Sequence, residues 1–304
     1  MMCPVACPVA SSGIPHKAAP GGGFREIRTP KDLPSQVPLS RISSACLDHI
    51  SSQLTPTDKA VVRLVSRARL CSGAQLERLF WHEGAPASRA RQARRTLSRL
   101  TAWRLLDRLP RMVGGRRAGS RGFIYTLGPS GVRLLAREEG GRARRLSAPG
   151  DRYINHTLAV SQLYVELVAT GRAGHADLIA FDFEPRCWAQ FPGAWGVTLT
   201  LKPDARIKLG VGDYEYTWLI EIDMATESLP TIERKVSRHL DYHRSGTAQR
   251  TTGVAPRVLW VTPDTKRAEA IDAVLRRLPD EAPKLFAVTT APDAASFLTS
   301  EVRP

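Results

Sequence analysis

Asp204, Glu221 and Asp223 are the residues of this 304-residue chain whose types and spacing could do chemistry. Asp204 follows Pro203 in the run LKPDARIKL, and Glu221-Ile222-Asp223 comes seventeen residues later. In a strand from Tyr216 to Asp223 side chains alternate, so Glu221 and Asp223 share one face while Trp218, Ile220 and Ile222 share the other. If Asp204 ends the preceding strand of a hairpin it lies beside them, and three hard oxygen donors suit Mg2+ or Mn2+. Such an ion activates water and stabilises charge developing on a scissile phosphate. Lys235 is the leading cation to assist, ahead of Lys202 and Lys208. It shares the spacing i, i+3, i+4, i+7 with Arg238, His239 and Tyr242, which gives one polar helix face able to look over the acids. Glu166 and Glu184 are further oxygen donors that read as exposed, and His156 reads as a hydrogen-bonded, partly buried residue. The Pro-Asp pair recurs at Pro263-Asp264, Pro279-Asp280 and Pro292-Asp293, so it carries weight only together with an E-x-D at a strand end. No Ser/His/Asp or Cys/His constellation and no phosphate-cradling Gly-rich loop accompanies it, which argues against those hydrolase classes and a nucleotide-driven motor.

The elements needed to position these acids are legible in residues 151–304. A helix from Tyr153 to about Thr170 precedes the strand-like runs LIAFDFE, VTLTLKPDARIKL and YTWLIEID. A helix from Pro230 to Arg244, the strand RVLWVT, a helix from Thr265 to Leu278 and the strand KLFAVTT follow. The order is that of an α/β domain with a central mixed sheet. Glu227, Thr226 or Ser228 can cap the helix that begins near Pro230.

Charge divides the chain differently. Residues 54–150 hold 21 Lys and Arg against 6 Asp and Glu, whereas residues 151–304 hold 18 against 20. A basic excess confined to one segment fits a module that faces a polyanion. A GC-rich genome would enrich arginine over lysine but would not segregate it.

Within that segment Thr55-Pro56-Thr57-Asp58 caps a first helix with Val61, Val62, Leu64 and Val65 on its apolar face. Ser72 and Gln75 have capping-box spacing for a second. Ser88 can cap a third, in which Ala93, Leu97 and Leu100 form an apolar stripe and Arg89, Arg91, Arg94, Arg95 and Arg99 cover the rest. Two short strands, Leu105–Leu109 and Phe123–Leu127, flank a Gly-rich tip carrying Arg116, Arg117 and Arg121. Gly128-Pro129-Ser130-Gly131 then opens a fourth helix that ends near Gly140. Three helices, a β-hairpin and a closing helix spell a winged helix-turn-helix over residues 54–140, its third helix suited to a major groove and its wing to phosphate or minor groove. For one helix alone a solvated arginine face would be the simpler account; the second arginine cluster on the wing tips the balance. Phosphate and base contacts both use arginine, so specificity is not legible.

Residues 1–53 are rich in Pro, Gly and Ser and read as a disordered leader. Residues 141–150, with Arg142, Arg144 and Arg145, read as a linker. Cys3, Cys7, Cys46, Cys71 and Cys187 are scattered, without zinc spacing, and fit free thiols in a reducing cytoplasm. No apolar run is long enough for a membrane span.

The string LSRLTAWRLLDRL…YTLGPSGVRLL resembles the recognition-helix-to-wing region of many bacterial regulators. Residues 151–304 resemble the PD-(D/E)XK nuclease superfamily, which implies a restriction-endonuclease-like αβββαβ fold; Asp223 stands where that superfamily expects lysine, a role Lys235 could take from the next helix. Taken whole, the winged helix plus LKPDARIKL…WLIEIDMATES…IERKVSRHLDYH is similar to the replication-relaxation family. That resemblance implies a role in plasmid or chromosomal DNA replication, relaxation or transfer alongside replication or transfer proteins; the basic winged helix makes double-stranded DNA the expected partner, and a homodimer is a further expectation. Two functions stay open. In one, Asp204, Glu221 and Asp223 bind Mg2+ or Mn2+ and cleave phosphodiesters with Lys235 assisting. In the other, the protein is a non-catalytic accessory or regulator with a degenerate nuclease fold.

Overall fold

The computed structural model describes residues 43–109, 122–140, 151–193, 196–278 and 282–300. Helix α1 (Ser44–Gln53) lies inside the stretch expected to be a disordered leader. Its Ser43 cap accepts a hydrogen bond from the Cys46 amide, and Leu47 and Ile50 are buried, so a short amphipathic helix has enough partners to order. The remainder of the leader lies outside the described residues, as does the expected linker.

Helix α2 (Pro56–Ala68) starts with the anticipated reciprocal cap between Thr55 and Asp58. A short strand β1 (Leu70–Ser72), too brief for an alternation signal, leads into α3 (Gly73–Phe80), capped by Ser72 and Gln75 as expected. Helix α4 (Pro86–Ala102) begins two residues before the Ser88 cap proposed from sequence: Pro86 takes the first helical position, where its missing N–H costs nothing, and Ala85 precedes it. Strands β2 (Leu106–Leu109) and β3 (Ile124–Leu127) pair antiparallel, and β1 adds to β3 in the order β1-β3-β2. Helix α5 (Pro129–Glu138) closes this part.

The closure requires glycine. A Cβ at Gly131 would sit 2.3 Å from the Leu105 carbonyl oxygen, and one at Gly128 would sit 2.3 Å from the Arg104 carbonyl oxygen. Between them the Ser130 amide donates to Arg104 O at 3.0 Å and the Gly128 amide to Leu105 O at 2.9 Å.

The second part begins with the long helix α6 (Asp151–Arg172) and continues through β4 (Asp177–Phe183), β5 (Ala189–Pro192), β6 (Thr198–Leu201), β7 (Ala205–Val211) and β8 (Tyr214–Ile222). Then come α7 (Leu229–Arg244), α8 (Thr247–Thr252), β9 (Arg257–Thr262), α9 (Thr265–Leu275), α10 (Ala282–Leu285), β10 (Phe286–Thr290) and α11 (Ala294–Thr299). The central sheet is mixed, with order β10-β9-β8-β7-β4; β4, β7 and β8 run antiparallel to their neighbours, and β8, β9 and β10 parallel. The run VTLTLKPDARIKL, read as one strand, is two: it breaks at Pro203, whose ring removes a ladder donor, and its first piece pairs with β5 as a separate hairpin. Trp218, Ile220 and Ile222 of β8 pack in one cluster with α6 and α11, and Leu219 packs in another with Ile232 and Val236 of α7 and Ile271 of α9. Both faces of the sheet are therefore covered by helices.

One apolar cluster runs from Leu47 of α1 through α2, α3 and α4 into Val160, Leu163 and Leu167 of α6 and on to Ile207 and Trp218. Polar clasps reinforce it: Ser161 Oγ donates to Leu70 O at 2.8 Å, Gln75 Nε2 to Leu158 O at 2.9 Å, and Arg67 Nη2 to Phe181 O at 2.7 Å. Among the described residues no helix is long and apolar enough to cross a membrane, and Cys46, Cys71 and Cys187 form no disulfide.

Gly131→Ala tests the closure of α5 on the β2 entry. Forcing a methyl group against the Leu105 carbonyl should destabilise the fold by roughly 1–3 kcal/mol, read as a lowered urea midpoint; an unchanged midpoint would refute the close approach.

Candidate nucleic-acid interface and acidic site

Helix α4 carries its apolar residues at i, i+4 and i+7, and Ala93, Leu97 and Leu100 are buried against the core. Arg91, Arg94, Arg95 and Ser98 recur at i, i+3, i+4 and i+7 on the opposite, exposed side. None of these three arginines has a hydrogen-bond or ion-pair partner among the described residues. Next to them Arg108 of β2 donates to Ser98 Oγ at 2.9 Å, its guanidinium 4.5 Å from the Phe123 ring centroid and 5.8 Å from that of Tyr125. Arg108 was missed from sequence, although its place opposite Tyr125 in a hairpin was the available signal.

Two of the expected contact arginines are used differently. Arg99 Nη2 donates to both carboxylate oxygens of Asp58 at 2.7 Å, and its guanidinium lies 5.3 Å from the Trp103 ring centroid. Asp58 is fully buried and also accepts the Thr55 amide as part of the α2 cap. Arg99 is thus the counter-ion of a buried carboxylate while its own side chain stays exposed. Arg89 is half-buried, its Nη1 donating to His82 O at 3.0 Å. Arg116, Arg117 and Arg121 lie outside the described residues, as do Arg142, Arg144 and Arg145.

The three acids are each buried and each neutralised by a different part of the fold. Asp204 opens β7; its amide donates to Ile220 O at 2.9 Å, and its Oδ2 accepts the Ile222 amide at 2.6 Å. The same oxygen lies 3.1 Å from His156 Nε2 of α6. Burial opposes a charged imidazole at His156, but the hydrogen bond and charge of Asp204, aided by Glu184, outweigh it and the repulsion of Lys235, so its pKa is raised.

Glu221, on β8, is gripped from α7. Its Oε1 is 2.8 Å from His239 Nε2, and its Oε2 accepts Lys235 Nζ at 3.2 Å. Burial works against the carboxylate, yet His239 and then Lys235 hold its pKa below the ordinary value. Lys235 also reaches Glu227 Oε2 at 3.1 Å. Burial opposes its charge, but Glu221, Asp204 and Glu227 together raise its pKa. Lys235 thus faces Glu221 and Glu227 from α7. His239, of the same predicted face, is buried against the acid, its Nδ1 without a hydrogen-bond partner. Tyr242 packs on Phe191, with ring centroids 5.4 Å apart, and does not enter the site.

Asp223 departs from the expected trio. Its Oδ2 accepts Arg267 Nε at 2.6 Å and its Oδ1 accepts Arg267 Nη2 at 3.1 Å, while the Ala225 amide adds a bond to Oδ2 at 3.1 Å. Strand alternation does put Glu221 and Asp223 on the same face, but α9 supplies its own arginine to the second acid. Among the described residues no group of three or more His, Cys, Asp or Glu is arranged to hold a metal ion. Asp204 thus faces His156, Glu221 faces His239 and Lys235, and Asp223 faces Arg267.

The minor candidates sort themselves similarly. Lys202 Nζ sits 4.6 Å from the Trp188 ring centroid, and Lys208 pairs with Glu215 at 3.4 Å. Glu166 accepts both Nη1 and Nη2 of Arg78. Glu184, expected to be exposed, is half-buried, and burial followed by the charge of Asp204 raises its pKa. With Asp204, His156, Arg67 and Arg69 it lines a cavity of about 20 Å³ where the two parts of the chain meet, room for roughly one water.

The chain matches the replication-relaxation family over residues 62–258, a span that runs from α2 into β9 and takes in both the arginine face and the acidic site. It belongs to that family. No curated protein and no solved structure matches it. Membership supports a role in DNA replication or relaxation.

The His156–Asp204 contact gives a pH signature. Because the histidine pKa is raised on folding, its stabilisation is complete below the unfolded value of about 6.5 and is lost as pH rises through the folded value. The stability difference between wild type and His156→Gln should therefore be largest near pH ~5.5 and shrink toward pH ~8.5; a difference independent of pH would show that the contact is not ionic.

Proposed function

We propose that this replication-relaxation protein is a double-stranded DNA-binding factor that acts in replication or relaxation without cutting DNA. Its first part serves as a winged helix-turn-helix and its second as a PD-(D/E)XK-type scaffold whose acids have become internal ion pairs. The single observation that carries the binding claim is the exposed, unpaired face of Arg91, Arg94 and Arg95 on α4. A helix buried on one stripe, with arginines opposite, fits the major groove, where guanidinium forks can meet phosphates or guanine edges. The order of α2, α3 and α4 followed by the β2–β3 hairpin supports the same docking mode, with Arg108 and Ser98 at the edge of the contact.

The scaffold reading rests on the acid partners. A divalent ion needs carboxylate oxygens directed at one point, whereas Glu221 is spent on His239 and Lys235, and Asp223 on Arg267. Replacing water and metal by protein cations turns a hydrolytic layout into a structural one.

Fluorescence anisotropy with duplex DNA separates the two kinds of arginine. Arg91→Ala, Arg94→Ala and Arg95→Ala combined should weaken binding by at least about tenfold and flatten its salt dependence, each lost phosphate contact removing ~0.9 from the log–log slope. Arg99→Ala should chiefly lower the melting temperature, since it leaves a buried carboxylate without its cation. Wild-type affinity in the triple variant would refute the assigned face.

Supercoiled plasmid incubated with Mg2+ or Mn2+ tests the second part. The expected outcome is no nicking beyond that of the Asp204→Ala and Glu221→Ala proteins. Metal-dependent nicking that disappears in both variants would overturn the scaffold reading and establish phosphodiesterase chemistry there.

A further inference from the structure

Beside α4 lies a cavity of about 430 Å³ lined by Glu77, Arg78, Trp81, His82, Arg89, Ala169 and Arg172. It is bounded by α3, the turn between α3 and α4, and the last turns of α6, so both parts of the chain contribute to its wall. We propose that it is a second backbone-phosphate site for duplex DNA, with Arg89 and Arg172 as its cations; the proposal rests on the DNA-binding reading above and enlarges the interface beyond α4.

The cations here are balanced unequally. Arg78 is matched by Glu166, which accepts its Nη1 at 2.7 Å and its Nη2 at 2.8 Å. Arg172 instead donates Nη1 to Arg78 O at 3.0 Å and Nη2 to Leu79 O at 2.5 Å, both neutral carbonyls at the end of α3. Arg89 likewise spends one Nη1 hydrogen bond on His82 O, while its Nε is buried with no hydrogen-bond partner. Carbonyl acceptors orient a guanidinium without cancelling its charge, so both arginines keep a positive charge at the cavity wall. One carboxylate, Glu77, shares the wall and is outnumbered by the two uncompensated arginines.

A phosphodiester oxygen answers this set of donors, because it accepts several N–H bonds at once and matches the planar fork of arginine. Duplex DNA is favoured over a small free anion because the cavity adjoins the first turns of α4, and Arg89 itself is on that helix. Arg89 lies about 120–160° around α4 from Arg91, Arg94 and Arg95, so the phosphate it would meet is one that approaches the N-terminal end of the helix at the α3–α4 turn. Contacts of this kind set register and orientation rather than sequence preference. Arg172 would then make the second part of the chain a direct contributor to binding, through the same helix that joins the two parts.

The test is a salt titration of duplex binding by the full-length protein, comparing wild type, Arg89→Gln/Arg172→Gln, Arg89→Lys/Arg172→Lys and the α4 triple variant. The glutamine pair should lower affinity by roughly five- to twentyfold near physiological salt and reduce the log–log slope by about one to two. The lysine pair should restore most of the slope, since lysine keeps the charge. Melting curves accompany each protein, so that loss of the carbonyl contacts at the end of α3 is recognised as lowered stability. A wild-type slope in the folded glutamine pair, with the α4 triple variant impaired, would overturn this site and leave the DNA-binding reading standing. Absence of salt-sensitive duplex binding by wild type would overturn both.

Discussion

Helix α6 meets apolar partners on both sides. Toward the sheet, Leu163 and Leu167 join the cluster of Ile207 and Trp218; toward the first part of the chain, the same cluster continues into α2, α3 and β1. The helix is accordingly apolar over most of its circumference, and its polar residues are spent on clasps: Ser161 on Leu70 O, Gln162 on Gln75, Glu166 on Arg78, Arg172 on the end of α3. Everything functional in the structure depends on this docking. It fixes α3, hence the helix α4 that packs on it, and it presents His156 to Asp204. Motion of the arginine face independent of the sheet would require opening a continuous apolar core, a cost that scales with the area exposed.

Within the sheet the strongest constraint is electrostatic. Asp204, Glu221 and Asp223 are all nearly inaccessible, and a carboxylate taken out of water must be paired or protonated. Each acquires its partners from a different helix: Asp204 from α6, Glu221 from α7, Asp223 from α9. The acids therefore lock three helices to one end of the sheet, and removing any one partner would leave an uncompensated buried charge, the costly half of a broken ion pair.

The arginines show how one residue type divides between structure and recognition. Arg67, Arg78, Arg99, Arg172 and Arg267 all hold the fold through carbonyls or carboxylates. Arg91, Arg94 and Arg95 project into solvent from a single helix face. The basic excess of residues 54–150 is thus smaller in effect than in formal count, yet what remains uncompensated is concentrated where a polyanion could reach it.

Much of this was legible in the sequence, and the boundary follows from the range of the interactions involved. Caps at Thr55 and Ser72 depend on residues three positions apart, and the strand order depends on alternation and turn residues within a few positions, so local rules recovered most helices and strands. Local rules also placed Lys235 one helix beyond Glu221 and put Glu221 and Asp223 on one face. They failed where a partner is distant in the chain: Arg99 meets Asp58 across 41 positions and Arg267 meets Asp223 across 44. They failed too for β1, which is too short to announce itself, and for α1, which follows directly on a Pro-, Gly- and Ser-rich stretch and is held by what Leu47 and Ile50 pack against. The sequence by itself determined which residues are charged, where the helices begin and which faces are apolar. Only the tertiary structure decided which charges are neutralised, because an ion pair is set by the approach of elements in space, and that approach is governed by the burial of apolar faces rather than by the charges themselves.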